Sequence, residues 1–153
     1  MIEIQRLCAE DIDAVYRIEC ACFTDAYTKE TFERELTNKI SYYITARIDG
    51  VIVGYAGMWR IVDEAEVISI ASAPKFQRCG VGTALLEHLV TECARRAVQT
   101  IRLEVRQGNL AAQQLYQKFG FEPYGIRKRY YDNTEDAILM IRNARESDEN
   151  IGD

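Results

Sequence analysis

The residues best placed to do chemistry begin with Gln77-Arg78-Cys79-Gly80-Val81-Gly82-Thr83-Ala84. Before them runs an apolar stretch, Val67 to Ala73, closed by Pro74, and after them comes a helical pattern of Leu85, Leu86, Leu89, Val90, Cys93 and Ala97. The glycines therefore sit where a strand turns into a helix. Glycine accepts positive φ and lets a ligand approach the backbone closely. The first N–H groups of a helix have no intrahelical partner. Together these features make a concave set of donors suited to phosphate. Thr83 and Ala84 follow Gly82 where a Walker loop needs lysine and a hydroxyl residue. Leu85 stands where a dinucleotide fingerprint needs a third small residue. An ordinary glycine-containing turn is the plainer alternative.

Gln77, Gly80 and Gly82 also satisfy the spacing Gln/Arg-x-x-Gly-x-Gly/Ala. That pattern resembles the pyrophosphate loop of the GNAT N-acetyltransferases, which bind acetyl-CoA. Acetyl transfer from a thioester to an amine asks for a base, oxyanion stabilisation, a proton for the departing thiolate, and a hold on the CoA pyrophosphate. Glu104 is the base candidate. It lies mid-strand on one face with Arg102 and Arg106, in the first strand after the loop helix, and can take the amine proton directly or through a water. The same alternation of charges also fits a solvated face. Tyr116 is the acid candidate, at the edge of a helical stripe of Ala112, Leu115 and Phe119. There its ring could pack while the hydroxyl reaches a cleft; simple packing is the alternative. A phenol, with a pKa of ~10, lies close enough to a thiol to protonate its anion. Asn109 opens this helix and reads first as its N-cap. The single histidine, His88, lies inside the loop helix. It reads as solvent-facing and makes a Ser-His triad a poor fit.

These residues must be carried by a domain-sized chain of 153 residues, 48% of them hydrophobic, enough for a substantial core. Nineteen basic against 24 acidic residues give a net charge of −5, unlike the basic face of a nucleic-acid binder. The five cysteines, Cys8, Cys20, Cys22, Cys79 and Cys93, form no CxxC pair and read as reduced, mostly packed thiols of a cytosol. Cys20 and Cys22 are too few ligands for zinc, so no metal is expected. The start Met1-Ile2-Glu3-Ile4 is not a basic leader, and no apolar run reaches membrane-spanning length. The expectation is a soluble, cytoplasmic protein without nucleic-acid or membrane partners; oligomeric state stays open.

Taken in order, Ile2 to Leu7 alternates as a strand, and Ala9 to Phe23 places Ile12, Val15, Ile18 or Glu19, and Cys22 at helical spacing. Lys29 to Thr37 predicts a second helix with Thr28 as N-cap. Tyr42 to Ile48, the turn Asp49-Gly50 and Val51 to Val62 predict a hairpin whose return strand is central. A third meander strand, Glu66 to Ala73, leads into the loop and its helix. A strand at Thr100 to Arg106, a helix from Asn109 to Phe119 ended by Gly120, and strands at Phe121 to Tyr131 and Ala137 to Ile141 follow. The fold class is α+β, with a mixed sheet of about seven strands and about four helices, and the crossover makes the strands either side of the loop helix parallel. Residues 1–143 form the predicted domain and 144–153 an acidic, disordered tail.

Leu103-Glu104-Val105-Arg106, Asn109, Leu115-Tyr116 through Gly120-Phe121, Arg127-Lys128-Arg129-Tyr130-Tyr131, and Glu135-Asp136-Ala137-Ile138-Leu139-Met140 together resemble the RimI-type ribosomal-protein-alanine N-acetyltransferases within the GNAT superfamily. The similarity runs from about Ile2 to Ile141. It implies a GNAT fold with a CoA cleft between two splayed parallel strands, and transfer of acetyl from acetyl-CoA to a protein's N-terminal α-amine. Glu104 stands at the family's general-base position and Tyr116 at its general-acid position. The family's pantetheine strand matches Ile70, Ala71 and Ser72. Its pyrophosphate loop matches Arg78, Cys79, Gly80, Val81, Gly82 and Thr83, with Asn109 a further cofactor contact. Tyr27 falls in a segment bordering the peptide groove, and Tyr130 and Tyr131 in the hairpin lining it. Departures are Ala26-Tyr27-Thr28 where the family often has Pro-Trp-Ser, Cys79 for a polar or basic loop residue, and Ala73 for an acidic or polar one. The alternatives are acetylation of lysine side chains or small amines on the same scaffold, and a CoA-binding regulatory module without turnover.

Overall fold

Asp49 and Gly50 both take positive φ, 50° and 81°, as a two-residue type I′ hairpin requires. They join β2 (Ser41–Ile48) to β3 (Val51–Ile61). The protein is represented by a computed structural model describing residues 1–131 and 135–145, with side chains described through Lys128 and again from Glu135 to Arg145. A seven-stranded sheet runs in the order β1-β2-β3-β4-β5-β7-β6. The chain divides into two compact units, Met1–Arg60 with Ile68–Val90, and Ile61–Val67 with the residues from Thr91 onward.

In the first unit, β1 (Ile2–Arg6) lies antiparallel to β2, and β2 to β3. The second ladder shifts between Ala46 and Arg47, a bulge beside the hairpin end. A 3₁₀ turn, Ala9–Asp11, leads into α1 (Ile12–Cys22). The Asp11 carboxylate accepts from the Cys8 N–H and pairs with Arg47 of β2, both at 2.9 Å, which pins the start of α1 to the sheet. Next, α2 (Lys29–Thr37) is capped by Thr28, whose hydroxyl accepts from the Thr31 N–H at 3.2 Å. Its one fully buried residue, Phe32, meets Tyr43 and Tyr55 edge-on at 6.4 and 5.4 Å. Leu7, Ile12, Val15, Ile18, Phe32, Tyr43, Tyr55 and Ala71 form one core.

Gly54 of β3 decides where the loop helix sits. A Cβ there would lie 2.6 Å from Val81 Cγ1 and 2.8 Å from the Ala71 carbonyl. The first turn of α3 (Val81–Arg95) therefore packs directly on the β3 backbone, next to β4 (Glu64–Ser72). Leu85, Leu86, Leu89 and Val90 are buried, as the helical spacing predicts.

The second unit takes in the start of β4, the end of α3, and then β5 (Thr100–Arg106), α4 (Leu110–Lys118), β6 (Glu122–Tyr131) and β7 (Glu135–Asn143). The parallel ladder joins Glu64, Ala65 and Glu66 of β4 to Thr100, Ile101 and Arg102 of β5. Antiparallel to β5 lies β7, which also pairs with β6. The alternation read in β5 holds, with Ile101, Leu103 and Val105 buried and the charged residues half-buried. Asn109 caps α4 by accepting from the Ala112 N–H at 3.1 Å, and Gly120, at φ 90°, ends it. Arg142 of β7 donates to the Phe119 carbonyl at 2.6 Å.

Three local expectations are corrected. Ala97 is not part of the helical stripe; it turns at φ 56° beyond Arg95, and Val98 is buried instead. The apolar centre of α4 is Tyr116, while Ala112, Leu115 and Phe119 are half-buried. Cys8, Cys20 and Cys79 are exposed and only Cys93 is buried, so the thiols are not mostly packed. The Ala144 N–H donates to Gln99 O at 2.8 Å; residues 146–153 of the expected tail lie outside the described residues.

Gly54→Ala should destabilise the protein by about 1–3 kcal/mol, because one colliding partner is backbone that cannot rotate away. Urea unfolding checks it, and an unchanged midpoint would show that α3 can lift off β3 at no cost.

Candidate active site

The loop between β4 and α3 is built by conformation more than by side chains. A 3₁₀ turn at Pro74–Phe76 is followed by positive φ at Arg78 (63°) and Gly80 (84°). Left-handed residues placed this way curl nearby N–H groups toward a common point. The Gly80 carbonyl accepts from the Ala84 N–H at 3.0 Å and starts α3, so Val81, Gly82 and Thr83 supply the N–H groups that a helix leaves unpaired internally. Cys79 differs from its neighbours, because its N–H already donates to Phe76 O at 3.3 Å. Val81 is buried against Gly54, which anchors the turn, and Thr83 is exposed. Ahead of the loop, Ala71 is buried while Ile70 and Ser72 are half-buried. The Ser72 carbonyl accepts from Cys22 Sγ at 3.2 Å and Gln77 Nε2 at 3.5 Å.

Glu104, Asn109 and Tyr116 lie on consecutive elements of the second unit, β5 and α4. Glu104 is half-buried, its side chain 20% exposed, and its Oε1 lies 3.1 Å from Arg127 Nη1. The two arginines that share its face of β5 have acidic partners: Arg102 pairs with Glu64, and Arg106 with Glu135 at 3.4 Å. Arg106 and Arg127 both sit opposite Ala137 on β7, Glu104 sits opposite Leu139, and Arg127 reaches across β7 to Glu104. Glu135 also accepts from the Gly108 N–H at 2.7 Å, which fixes the turn leading to Asn109. Tyr116 is 5% exposed, its ring edge-on to Phe121 at 5.9 Å.

Tyr27, in the first unit, is 37% exposed and meets Phe32 edge-on at 6.3 Å. Its backbone N–H donates to Glu19 Oε2 at 2.9 Å. Tyr130 and Tyr131 belong to β6, but their side chains lie outside the described residues. His88 is half-buried, not solvent-facing: its ring stacks on Tyr42 at 6.1 Å and its Nε2 lies 2.9 Å from the Tyr42 hydroxyl. Arg6 covers the same tyrosine ring at 4.3 Å.

Sequence reasoning missed Arg127 as the partner of Glu104 and missed Glu19. The signal for Glu19 was a carboxylate within the apolar spacing of α1. Burial raises its pKa, partly offset by the Tyr27 N–H and the Tyr55 hydroxyl. Tyr55 is likewise raised well above its usual value, by burial first and then by Glu19. Among the described residues, no group of three or more His, Cys, Asp or Glu side chains could hold a metal ion, and no helix is long and apolar enough to cross a membrane.

Comparison with known proteins bears directly on this arrangement. The Acetyltransferase (GNAT) family matches residues 12–121. A Bacillus subtilis (strain 168) protein, provisionally named a ribosomal protein bS18-alanine N-acetyltransferase, is 41% identical over 139 residues, covering 90% of this chain and 92% of the relative. The ribosomal protein bS18-alanine N-acetyltransferase of Escherichia coli (strain K12) is 38% identical over 145 residues, covering 92% and 96%. The crystal structure of the ribosomal-protein-S18-alanine N-acetyltransferase from Escherichia coli superposes with a TM-score of 0.87 at 36% identity, covering 95% of this chain and 97% of that one. With a seven-stranded mixed sheet and four α-helices among the described residues and the glycine turn that opens α3, the chain belongs to the GNAT acetyltransferase family, among its RimI-type N-acetyltransferases.

Proposed function

We propose that this acetyltransferase moves acetyl from acetyl-CoA to the α-amine of a protein, the N-terminal alanine of a small-subunit ribosomal protein, in the cytoplasm. The observation that carries the chemistry is Glu104, a half-buried carboxylate on β5 held by Arg127, one element before Tyr116. The substrate class rests on the names of two relatives matched over more than nine-tenths of their length.

Acetyl-CoA, when bound, supplies the activated acyl carbon and a thiolate leaving group. The turn's left-handed residues and the unpaired start of α3 fit a pyrophosphate. Arg78, Gly80, Val81, Gly82 and Thr83 would hold it through backbone N–H groups, and Cys79 would serve mainly as a spacer. Ile70, Ala71 and Ser72 would carry the pantetheine, with Asn109 a further contact. Tyr27, Tyr130 and Tyr131 would border the acceptor peptide. Glu104 takes the amine proton, directly or through a water, and Tyr116 protonates the leaving thiolate. An α-amine has a pKa of ~7.7–8.0 against ~10.4 for lysine, so a modest base suffices for the former at neutral pH.

Incubation with acetyl-CoA and a peptide that begins with alanine and carries an internal lysine should place acetyl on the α-amine alone, read by mass spectrometry. Lysine-only products would move the protein to side-chain acetylation, and absence of thiol release with mixed peptides would make it a binding module. Glu104→Gln should lower kcat by ~10²-fold or more at pH 7, with partial recovery at high pH. Tyr116→Phe should lower kcat with little change in acetyl-CoA KM, because its proton is needed in the transition state. Wild-type kcat in either variant removes that residue from the mechanism.

Gly80→Asp places a negative side chain at φ 84°, in open space beside the proposed pyrophosphate. Acetyl-CoA KM should rise by about tenfold or more, the scale of one lost charge-assisted hydrogen bond. An unchanged KM in a folded variant rejects the loop assignment.

A further inference from the structure

Glu19 is 2% exposed and takes no part in the proton transfers assigned above. Its two oxygens point in different directions. Oε2 accepts from the backbone N–H of Tyr27 at 2.9 Å, and Oε1 accepts from the Tyr55 hydroxyl. That hydroxyl also lies 2.8 Å from Ser69 Oγ, one residue before Ile70 on β4. Both partners of the carboxylate are neutral. Two neutral hydrogen bonds repay the desolvation of a charge poorly, so an apolar residue of similar size would pack here at lower cost.

What the carboxylate holds is the connector between α1 and α2, through the Tyr27 N–H. Between the end of α1 at Cys22 and the Thr28 cap of α2, the chain has no regular structure. Ala26 leaves φ free where a proline would lock it. The Tyr27 ring leans on Phe32, which itself packs against Tyr55, the residue that donates to Glu19. The backbone and the ring of Tyr27 are thus both referred to Tyr55.

We infer that Glu19 is a positioning residue for the acceptor: its buried carboxylate sets the backbone of the segment carrying Tyr27 and, through Tyr55 and Ser69, references it to β4. This rests on the reading of Tyr27 as bordering the acceptor peptide. Glu19→Gln can keep the geometry, with the amide oxygen accepting from Tyr27 and the amide nitrogen donating to Tyr55, which then donates to Ser69. Glu19→Ala cannot, and Tyr55→Phe severs only the link to β4.

The test is steady-state kinetics on the full chain with acetyl-CoA and an alanine-initiated peptide, together with hydrogen exchange at the Tyr27 amide. For Glu19→Ala the peptide KM should rise about tenfold, the scale of one hydrogen bond to a charged group, while acetyl-CoA KM stays within about twofold. The Tyr27 amide should exchange at least about tenfold faster. Glu19→Gln should restore both, and Tyr55→Phe should raise the peptide KM to an intermediate value. Equal rises in both KM values with no rescue by Glu19→Gln would reduce Glu19 to general stability, and so overturn the inference. So would an unchanged peptide KM in Glu19→Ala or, should that variant not fold, in Tyr55→Phe. If the wild type does not acetylate α-amines, the functional reading fails and amide exchange at Tyr27 still decides the role of Glu19.

Discussion

The close approach of α3 to β3 over Gly54 is the contact on which the glycine turn before α3 depends. Any side chain at that position would meet Val81 and the Ala71 carbonyl. With none, the first turn of α3 rests on the sheet, and the residues before it must reverse direction within a short loop. Positive φ at Arg78 and Gly80 is how they do so. The turn that results leaves the amide groups at the helix start pointing outward with no partner inside the helix, which is what an anionic group requires. A packing constraint between a strand and a helix thus shapes the turn to which the pyrophosphate is assigned in the proposal.

The residues of the proposed proton chemistry are supported differently. Glu104 gains its environment from the order β5-β7-β6, which lets Arg127 reach across β7 to the carboxylate. Arg102 and Arg106 have acidic partners of their own. Glu135 serves two purposes, pairing with Arg106 and holding the Gly108 N–H, so the turn into α4 and the face of β5 are tied to the same β7 residue. Asn109 then starts α4 and Tyr116 lies two turns along it, buried beside Phe121.

Much of the fold was legible because it is set locally. The Asp49-Gly50 turn, the Thr28 and Asn109 caps, the Gly120 stop and the strict alternation of Thr100 to Arg106 each depend on a few neighbouring residues, and each stands in the structure as read. What escaped depends on neighbours distant in sequence. Nothing near His88 says that Tyr42 will stack on it, and nothing near Glu104 says that Arg127 will reach it across β7. Glu19 interrupts an apolar stripe, and only the fold reveals that Tyr27 and Tyr55 satisfy it. The phosphate character of the loop could be argued from its glycines. The roles given to Glu104 and Tyr116 drew on family resemblance, because a carboxylate on a strand and a phenol on a helix are common without being catalytic.

The most direct measurement is a crystal structure with a conjugate in which CoA is joined through its acetyl group to the α-nitrogen of an alanine-initiated peptide. The account predicts the pyrophosphate on the N–H groups of Gly80 to Thr83, and the α-nitrogen within ~3 Å of the Glu104 carboxylate or one water away from it. A conjugate whose pyrophosphate lies off the loop, or whose α-nitrogen has no path of one water or fewer to Glu104, would contradict it.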